Sequence, residues 1–176
     1  MKDLIRKAKV EDAKGIATVV ATAWQETYRG IVNDEYLDNL TNEIPNMIER
    51  YIKKIKEGID LFSVLEVDGK IVGFTSYGKA KNEEKYPSYG EIYALYIIDG
   101  YKGFGFGKKL VINAAKELIK LGYKEMVIGC LVGNPSNSFY KHLGGIMKDK
   151  AIFKRAGQNL DENYYYYDDI KLLVNK

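Results

Sequence analysis

Apolar residues recur along much of the chain at the spacing of amphipathic helices. Such a pattern predicts a helix over residues 10–28 and a second helical region over residues 34–56, interrupted near Pro45. A third apolar stripe predicts a helix over residues 107–121, and Gly122 then stands where a C-terminal glycine cap belongs. Helices therefore occupy both halves of the chain.

The segments between these helices have the patterns of strands. Residues 61–67 and 70–77 predict a hairpin, because Asp68-Gly69 between them is a strong two-residue turn signal. The other predicted elements are strands over residues 4–7, 91–98 and 125–132, a short helix over residues 136–143, and two final strands. The order β-α-α-β-β-β-α-β-α-β-β predicts a single domain over residues 1–176, of the α/β class with a mixed sheet.

Composition narrows the class of protein. The chain is 46% apolar and 29% charged, which is ordinary for a globular domain, and its net charge of +3 is too small to indicate a nucleic-acid partner. No apolar stretch approaches the ~20 residues of a membrane span, and no secretion signal begins the chain. The single cysteine predicts a cytoplasmic protein. No His, Cys or carboxylate cluster has metal-ligand spacing, so no metal cofactor is expected.

Residues 95–110 contain the most informative pattern. An apolar run ends in a loop with Gly103, Gly105 and Gly107 at alternate positions, and a lysine-rich helical pattern follows at once. A glycine-rich turn at a helix N-terminus presents backbone N–H groups and the positive end of the helix dipole to an anion. The pattern therefore predicts a phosphate or pyrophosphate site.

Other phosphate-binding loops fit this segment poorly. A P-loop requires Ser or Thr after Gly107-Lys108, where this chain has Lys109. The dinucleotide fingerprint requires G-x-G-x-x-G, normally in the first βαβ unit, so a nicotinamide-dependent oxidoreductase is disfavoured. A surface turn without a ligand is the remaining alternative.

Residues 102–107, with the sequence KGFGFG, resemble motif A of the GNAT superfamily of acyl-CoA N-acyltransferases, with Lys102 in place of the usual Gln or Arg. Residues 23–31 are similar to a Trp-x-x-x-Tyr-x-Gly segment of one bacterial branch. Residues 134–145 resemble motif B, although they are one residue shorter before Tyr140. This resemblance implies a central twisted, mostly antiparallel sheet of about seven strands with helices on both faces.

The resemblance also implies acetyl-CoA as cosubstrate. The pantetheine arm would lie along the strand before the loop, in a slot beside residues 125–132, and the loop amides would hold the pyrophosphate. The coenzyme-binding residues implied in this way are Leu95, Tyr96, Ile97, Lys102, Gly103, Phe104, Gly105, Phe106, Gly107, Lys108, Asn134 and Asn137. Turn and N-cap roles explain the two asparagines equally well.

The implied reaction is direct attack of an amine on the thioester. Glu91 is the candidate general base, and in a regular strand it would share a face with Tyr93 and Leu95. An exposed glutamate at the start of a strand is the alternative. Tyr140 is the candidate general acid, with core packing as its alternative.

The acceptor is not specified by the sequence and is a small amine, a polyamine or a protein amino group. Trp24, Tyr28 and Tyr36 fall where relatives shape the acceptor pocket. Half of the tyrosines at positions 164–167 are expected in the core or in a homodimer contact. A catalytically silent acyl-CoA sensor of the same fold is the alternative to an enzyme.

Overall fold

The computed structural model describes residues 1–175, and its elements follow the predicted order. The helices in this part of the chain are α1 (Ala13–Thr27), α2 (Asp34–Asn39), α3 (Ile44–Glu57), α4 (Phe106–Lys120), α5 (Ser136–His142) and α6 (Lys171–Val174). The strands are β1 (Asp3–Lys7), β2 (Leu61–Val67), β3 (Lys70–Lys79), β4 (Gly90–Ile97), β5 (Met126–Leu131), β6 (Ile146–Arg155) and β7 (Gln158–Tyr167).

Local chemistry explains where several helices begin. Asn33 Oδ1 accepts a hydrogen bond from the backbone N–H of Tyr36 at 3.1 Å and so caps α2. Pro45 lies in the first turn of α3, where a missing N–H costs no helical hydrogen bond. Helix α6 was not predicted, because four residues are too few to display a helical period.

The strands form one sheet in the order β1-β2-β3-β4-β5-β7-β6. Strands β4 and β5 pair in parallel, and the other neighbours pair antiparallel. This arrangement confirms the predicted mixed α/β fold with a mostly antiparallel sheet of seven strands. The parallel pair needs a crossover, and α4 supplies it.

Helices cover both faces of the sheet. Ile16 and Val19 of α1 pack with Phe74 of β3 on one face, whereas Leu110 of α4 packs with Val72 of β3 on the other. Both faces of the central strands are therefore apolar, which explains the nearly continuous burial of β3. Of the helices within residues 1–175, none has both the length and the apolar character that a membrane crossing requires.

The tyrosine run near the C-terminus is used within the fold. Tyr165 and Tyr167 are buried in the core beneath α4. Tyr164 and Tyr166 face the other way and pack against Tyr86, with the Tyr86 and Tyr164 rings stacked at 5.4 Å. All four rings thus have partners within the described chain. The homodimer contact suggested for them therefore stays a prediction.

A bulge in β4 changes which side chains share a face. Ser76 of β3 pairs with Ala94, but the next residue of β3, Tyr77, pairs with Ile92, so Tyr93 is an extra residue. As a result Ile92 and Leu95 both pack in the cluster beneath α4. The expectation that Glu91 shares a face with Leu95 was therefore wrong, because it assumed unbroken alternation.

The sheet opens between β4 and β5. Their pairing ends at Ile92 and Ile128, although β4 continues to Ile97 and β5 to Leu131. Beyond this point the edge of β4 has no strand partner on that side within residues 1–175. An extended molecule can hydrogen-bond this free edge, and the gap determines where the candidate site lies.

Candidate active site

A cavity of about 570 Å³ occupies the opening between β4 and β5. Its walls come from the end of α1, the free part of β4, the glycine loop, β5 and the start of α5. Predicted site residues that line it are Trp24, Tyr28, Leu95, Tyr96, Ile97, Lys102, Gly103, Gly105, Phe106, Gly107, Lys108, Asn134 and Tyr140. The structure thus brings together residues from distant parts of the chain. Tyr36, Glu91, Phe104 and Asn137 are not among the lining residues.

The glycine loop is shaped by backbone conformation. Gly103 and Gly105 have φ values of 84° and 78°, which side chains other than glycine rarely adopt. Gly105 is the N-cap of α4, and the N–H groups of residues 103–108 have no backbone acceptor within residues 1–175. Gly107 lies close to another side chain, since a Cβ there would be 3.1 Å from the Phe139 ring. The loop therefore directs unpaired amides toward the cavity.

The lysines around the loop have different partners. Lys102 Nζ lies 2.5 Å from Asp99 Oδ1, and Lys109 Nζ lies 2.7 Å from Asp3 Oδ2. Lys108 lines the cavity and forms no ion pair with any described residue. It is the lysine best placed to add a charge-assisted contact to phosphate. Phe104 does not line the cavity and is 55% exposed.

Two asparagines stabilise the turn before α5. Asn134 lines the cavity, where its Nδ2 donates to the Tyr28 hydroxyl at 3.2 Å and its Oδ1 accepts from the backbone N–H of Ser136 at 2.8 Å. Asn137 Nδ2 donates to the Leu131 carbonyl at 2.8 Å. Its Oδ1 accepts from the Tyr165 hydroxyl at 2.7 Å. The side chain of Asn137 is therefore engaged within the fold.

Tyr140 presents a buried phenol to the cavity. The residue is 5% exposed, and its hydroxyl has no hydrogen-bond partner among residues 1–175. Burial raises the pKa of Tyr140 well above its usual value, as do the neighbouring Cys130 and Tyr96. The hydroxyl therefore remains protonated at neutral pH and can act as a proton donor.

Cys130 also lines the cavity, on β5. Burial, together with the nearby charge of Glu162, raises the pKa of this cysteine to about 12. A thiol with such a pKa is a poor nucleophile at neutral pH, because the thiolate is the reactive form. An acyl-cysteine intermediate is disfavoured for this reason.

Aromatic side chains line the end of the cavity away from the glycine loop. The Trp24 ring lies 4.7 Å from Tyr28 and 6.3 Å from Tyr96. Phe153 of β6 joins them, 6.5 Å from Trp24. The Tyr36 ring centroid lies 6.2 Å from that of Trp24 in an edge-on arrangement, although Tyr36 does not line the cavity.

Glu91 lies beside the cavity rather than in its wall. It is 8% exposed, and its Oε2 accepts a hydrogen bond from the backbone N–H of Lys81 at 2.7 Å. Burial raises the pKa of Glu91, and the Lys81 contacts oppose this. The ammonium of Lys81 pairs with Asp60, which Lys54 also contacts at 3.0 Å. Glu91 is thus partly held by other groups.

Three carboxylates in the cavity wall, those of Glu26, Asp99 and Glu162, were missed by the sequence reasoning. Glu26 lies in the last turn of α1, and its Oε2 accepts a hydrogen bond from the backbone N–H of Asp99 at 2.9 Å, just before the glycine loop. Glu162 is on β7, opposite Leu131 of β5. The pKa of Glu162 is raised to about 7, mainly by burial and to a smaller extent by the charge of Glu91. No pattern within β7 marks Glu162, since its position depends on which strands pair.

Residues 17–144 match the model of the Acetyltransferase (GNAT) family. The chain belongs to the GNAT acetyltransferase family. Its matched region contains the glycine loop, the free edge of β4 and Tyr140, so the family assignment and the cavity geometry refer to the same part of the molecule.

Individual relatives agree with this assignment. The chain is 29% identical over 98% of both sequences to the uncharacterized N-acetyltransferase YuaI of Bacillus subtilis. It is 27% identical to the spermidine N(1)-acetyltransferase of Thermoplasma acidophilum, over 69% of this chain and 73% of that protein. The PaiA N-acetyltransferase of T. acidophilum, solved with coenzyme A, has a TM-score of 0.70 at 21% identity, covering 95% of this chain and all of that one.

This protein is therefore an acetyl-CoA-dependent acyltransferase. The residues present suit a nucleotide thioester, because the loop offers unpaired amides to a pyrophosphate and β4 offers a free edge to the pantetheine amides. Within residues 1–175, no group of three or more His, Cys, Asp or Glu side chains is arranged to hold a metal ion.

Proposed function

We propose that this chain, as one N-acetyltransferase domain over residues 1–176, transfers an acetyl group from acetyl-CoA to a primary amine. The observation that carries the proposal is a single cavity that joins the amides of residues 103–108, the free edge of β4 and the buried hydroxyl of Tyr140. Coenzyme binding would fall to the first two, and the proton for the leaving thiolate to the third.

The proposed reaction is direct. The amine nitrogen attacks the thioester carbonyl carbon, a C–N bond forms, and a backbone N–H near Tyr96 stabilises the oxyanion. The C–S bond then breaks with its electron pair on sulfur, and Tyr140 protonates the thiolate. The nitrogen loses two protons in all. One replaces the proton that Tyr140 gave, and the other leaves through a general base, for which Glu91 and Glu162 are the candidate carboxylates.

The acceptor end of the cavity suits a cationic amine. Trp24, Tyr28 and Phe153 provide aromatic faces, and Glu162 provides negative charge, which together attract an ammonium group. Arg155 lies 5.7 Å from the Trp24 ring and limits how many cations this wall can accept. A relative named for spermidine acetylation makes polyamines the first acceptors to test, before other small amines and protein amino groups.

The test is a free-thiol assay with acetyl-CoA and a panel of primary amines that includes spermidine, with products identified by mass spectrometry. We expect thiol release that depends on the amine, together with a product 42 Da heavier, the mass that one acetyl group adds. Coenzyme binding by calorimetry without turnover across the panel would instead indicate an acyl-CoA sensor of the same fold.

A further inference from the structure

We propose that Glu162, rather than Glu91, is the general base that deprotonates the acceptor ammonium. This assignment rests on the proposed function above. Glu162 belongs to the cavity wall, whereas Glu91 does not. A general base must come within hydrogen-bond distance of the proton that it removes, directly or through one water, so access to the cavity is the first criterion.

The two carboxylates differ in how much of their hydrogen-bonding capacity is free. Glu91 already accepts a backbone hydrogen bond from Lys81. The carboxylate of Glu162 has no hydrogen bond or ion pair with any of residues 1–175. A half-buried carboxylate without a partner is costly to keep in a fold, and such costs are concentrated at functional sites.

The fold makes room for Glu162 at one position of β5. Gly129 has no side chain, and a Cβ there would lie only 2.4 Å from Glu162 Oε1. The carboxylate therefore lies over the backbone of β5, in the strand position next to Cys130. A glycine in a central strand normally weakens it, so its presence indicates that something must approach closely.

The surroundings of Glu162 connect it to the proposed acid. The charge of Glu162 contributes to the raised pKa of Cys130, and Cys130 contributes to the raised pKa of Tyr140. Glu162, Cys130 and Tyr140 all line the cavity. The titratable groups that face Glu162 are Glu91 on β4, Cys130 on β5 and Tyr164 on β7, and β6 places Ala151 opposite it.

The burial and the neighbouring charges set the pKa of Glu162 at a value that suits a general base. With a pKa of about 7, a large fraction of Glu162 is ionised at neutral pH. It can accept a proton from an ammonium group of pKa near ~10 and release it to solvent through the open cavity. Glu91 contributes through its charge, which helps to raise the pKa of Glu162, and is a positioning residue in this scheme.

The experiment compares Glu162→Gln, Glu91→Gln and a matched control, Asp161→Asn, at an exposed residue of the same strand. The acceptor is spermidine, or the amine of the panel that gives product. At pH 7.5 we expect Glu162→Gln to lower kcat/KM about 100-fold and Asp161→Asn to stay within about threefold of wild type. Coenzyme affinity, measured by calorimetry, should be unchanged in all three.

The pH dependence of kcat/KM distinguishes a chemical role of Glu162 from a structural one. Wild type should show a rise in kcat/KM centred near pH 7 that is absent in Glu162→Gln, whose deficit should narrow as pH approaches the pKa of the amine. Glu91→Gln should keep the rise but shift it to lower pH. A wild-type rate in Glu162→Gln would overturn the assignment of the general base and leave the proposed function intact. The same holds if the rise near pH 7 disappears in Glu91→Gln and persists in Glu162→Gln. An inactive wild type would overturn the proposed function as well.

Discussion

The two ends of the cavity are built from different parts of the polypeptide. The coenzyme end consists mainly of backbone, with the amides of residues 103–108 and the free edge of β4. The acceptor end consists of side chains from elements far apart in sequence, including Trp24 of α1, Tyr140 of α5 and Glu162 of β7. A backbone site needs only a local conformation, whereas a side-chain site needs the whole sheet to assemble.

This difference predicts where substitutions act. Changes in the loop should affect coenzyme affinity and leave the chemical step intact in whatever complex still forms. Changes at the acceptor end should affect turnover with little change in coenzyme affinity. The variants below test this division, beginning with the largest expected effect.

Gly105→Asp should weaken coenzyme A binding at least about 100-fold. The substitution forces a side chain into φ 78° and adds a negative charge at the N-terminus of α4, beside the pyrophosphate. Calorimetric titration measures the effect. Gly157→Asp is a matched control, because Gly157 has φ 71° in the turn between β6 and β7 and an equally open environment. Unchanged affinity in Gly105→Asp would refute the assignment of the loop.

Tyr140→Phe should lower kcat about 100-fold while the Kd for acetyl-CoA stays within about threefold. The phenyl ring keeps the packing against Tyr165 at 5.9 Å, so only the proton donor is removed. Tyr167→Phe is the control, since its hydroxyl donates to the Tyr140 carbonyl at 2.8 Å without lining the cavity. Equal turnover in the two variants would leave Tyr140 with a packing role only.

The contrast between a site made of backbone and a site made of side chains also explains which features the sequence could predict. Gly103, Gly105 and Gly107 lie at alternate positions of one short loop, so their spacing alone predicted an anion site. The bulge at Tyr93 depends on the register between β3 and β4, which no periodicity within β4 reveals. Glu162 comes beside Gly129 only because β7 pairs with β5 and not with β4. Long-range strand pairing was therefore the information that was missing.

Gly129→Ala should lower turnover about tenfold, because the new Cβ would displace the carboxylate of Glu162, now 2.4 Å from that point. Alanine is otherwise acceptable in a strand, and Gly129 does not have a positive φ. The measurement is kcat/KM at pH 7.5 beside circular dichroism. Val127→Ala, two residues earlier on the same strand, is a useful comparison, since its loss of core volume should lower stability without moving Glu162. Full activity in Gly129→Ala would argue against the position assigned to the base.

The smallest expected effect concerns stability, because Glu162→Gln should stabilise the fold slightly and only at higher pH. The folded pKa of about 7 lies above the unfolded value of 4.5, so the folded protein binds this proton more tightly. The resulting stability is fully present below pH 4.5 and is lost as pH rises through 7. At pH 8 the variant should therefore exceed wild type by about 1–2 kcal/mol in unfolding free energy, allowing for partial solvent exposure.

Thermal unfolding at pH 4.5 and pH 8 measures this difference, which should be near zero at the lower pH and a few degrees in Tm at the higher one. Asp161→Asn, on the same strand, is the control. Loss of stability in Glu162→Gln at both pH values would indicate a structural role instead. A substitution that stabilises the fold while it lowers turnover is the combination expected of a carboxylate retained for chemistry, and a purely structural glutamate cannot produce it.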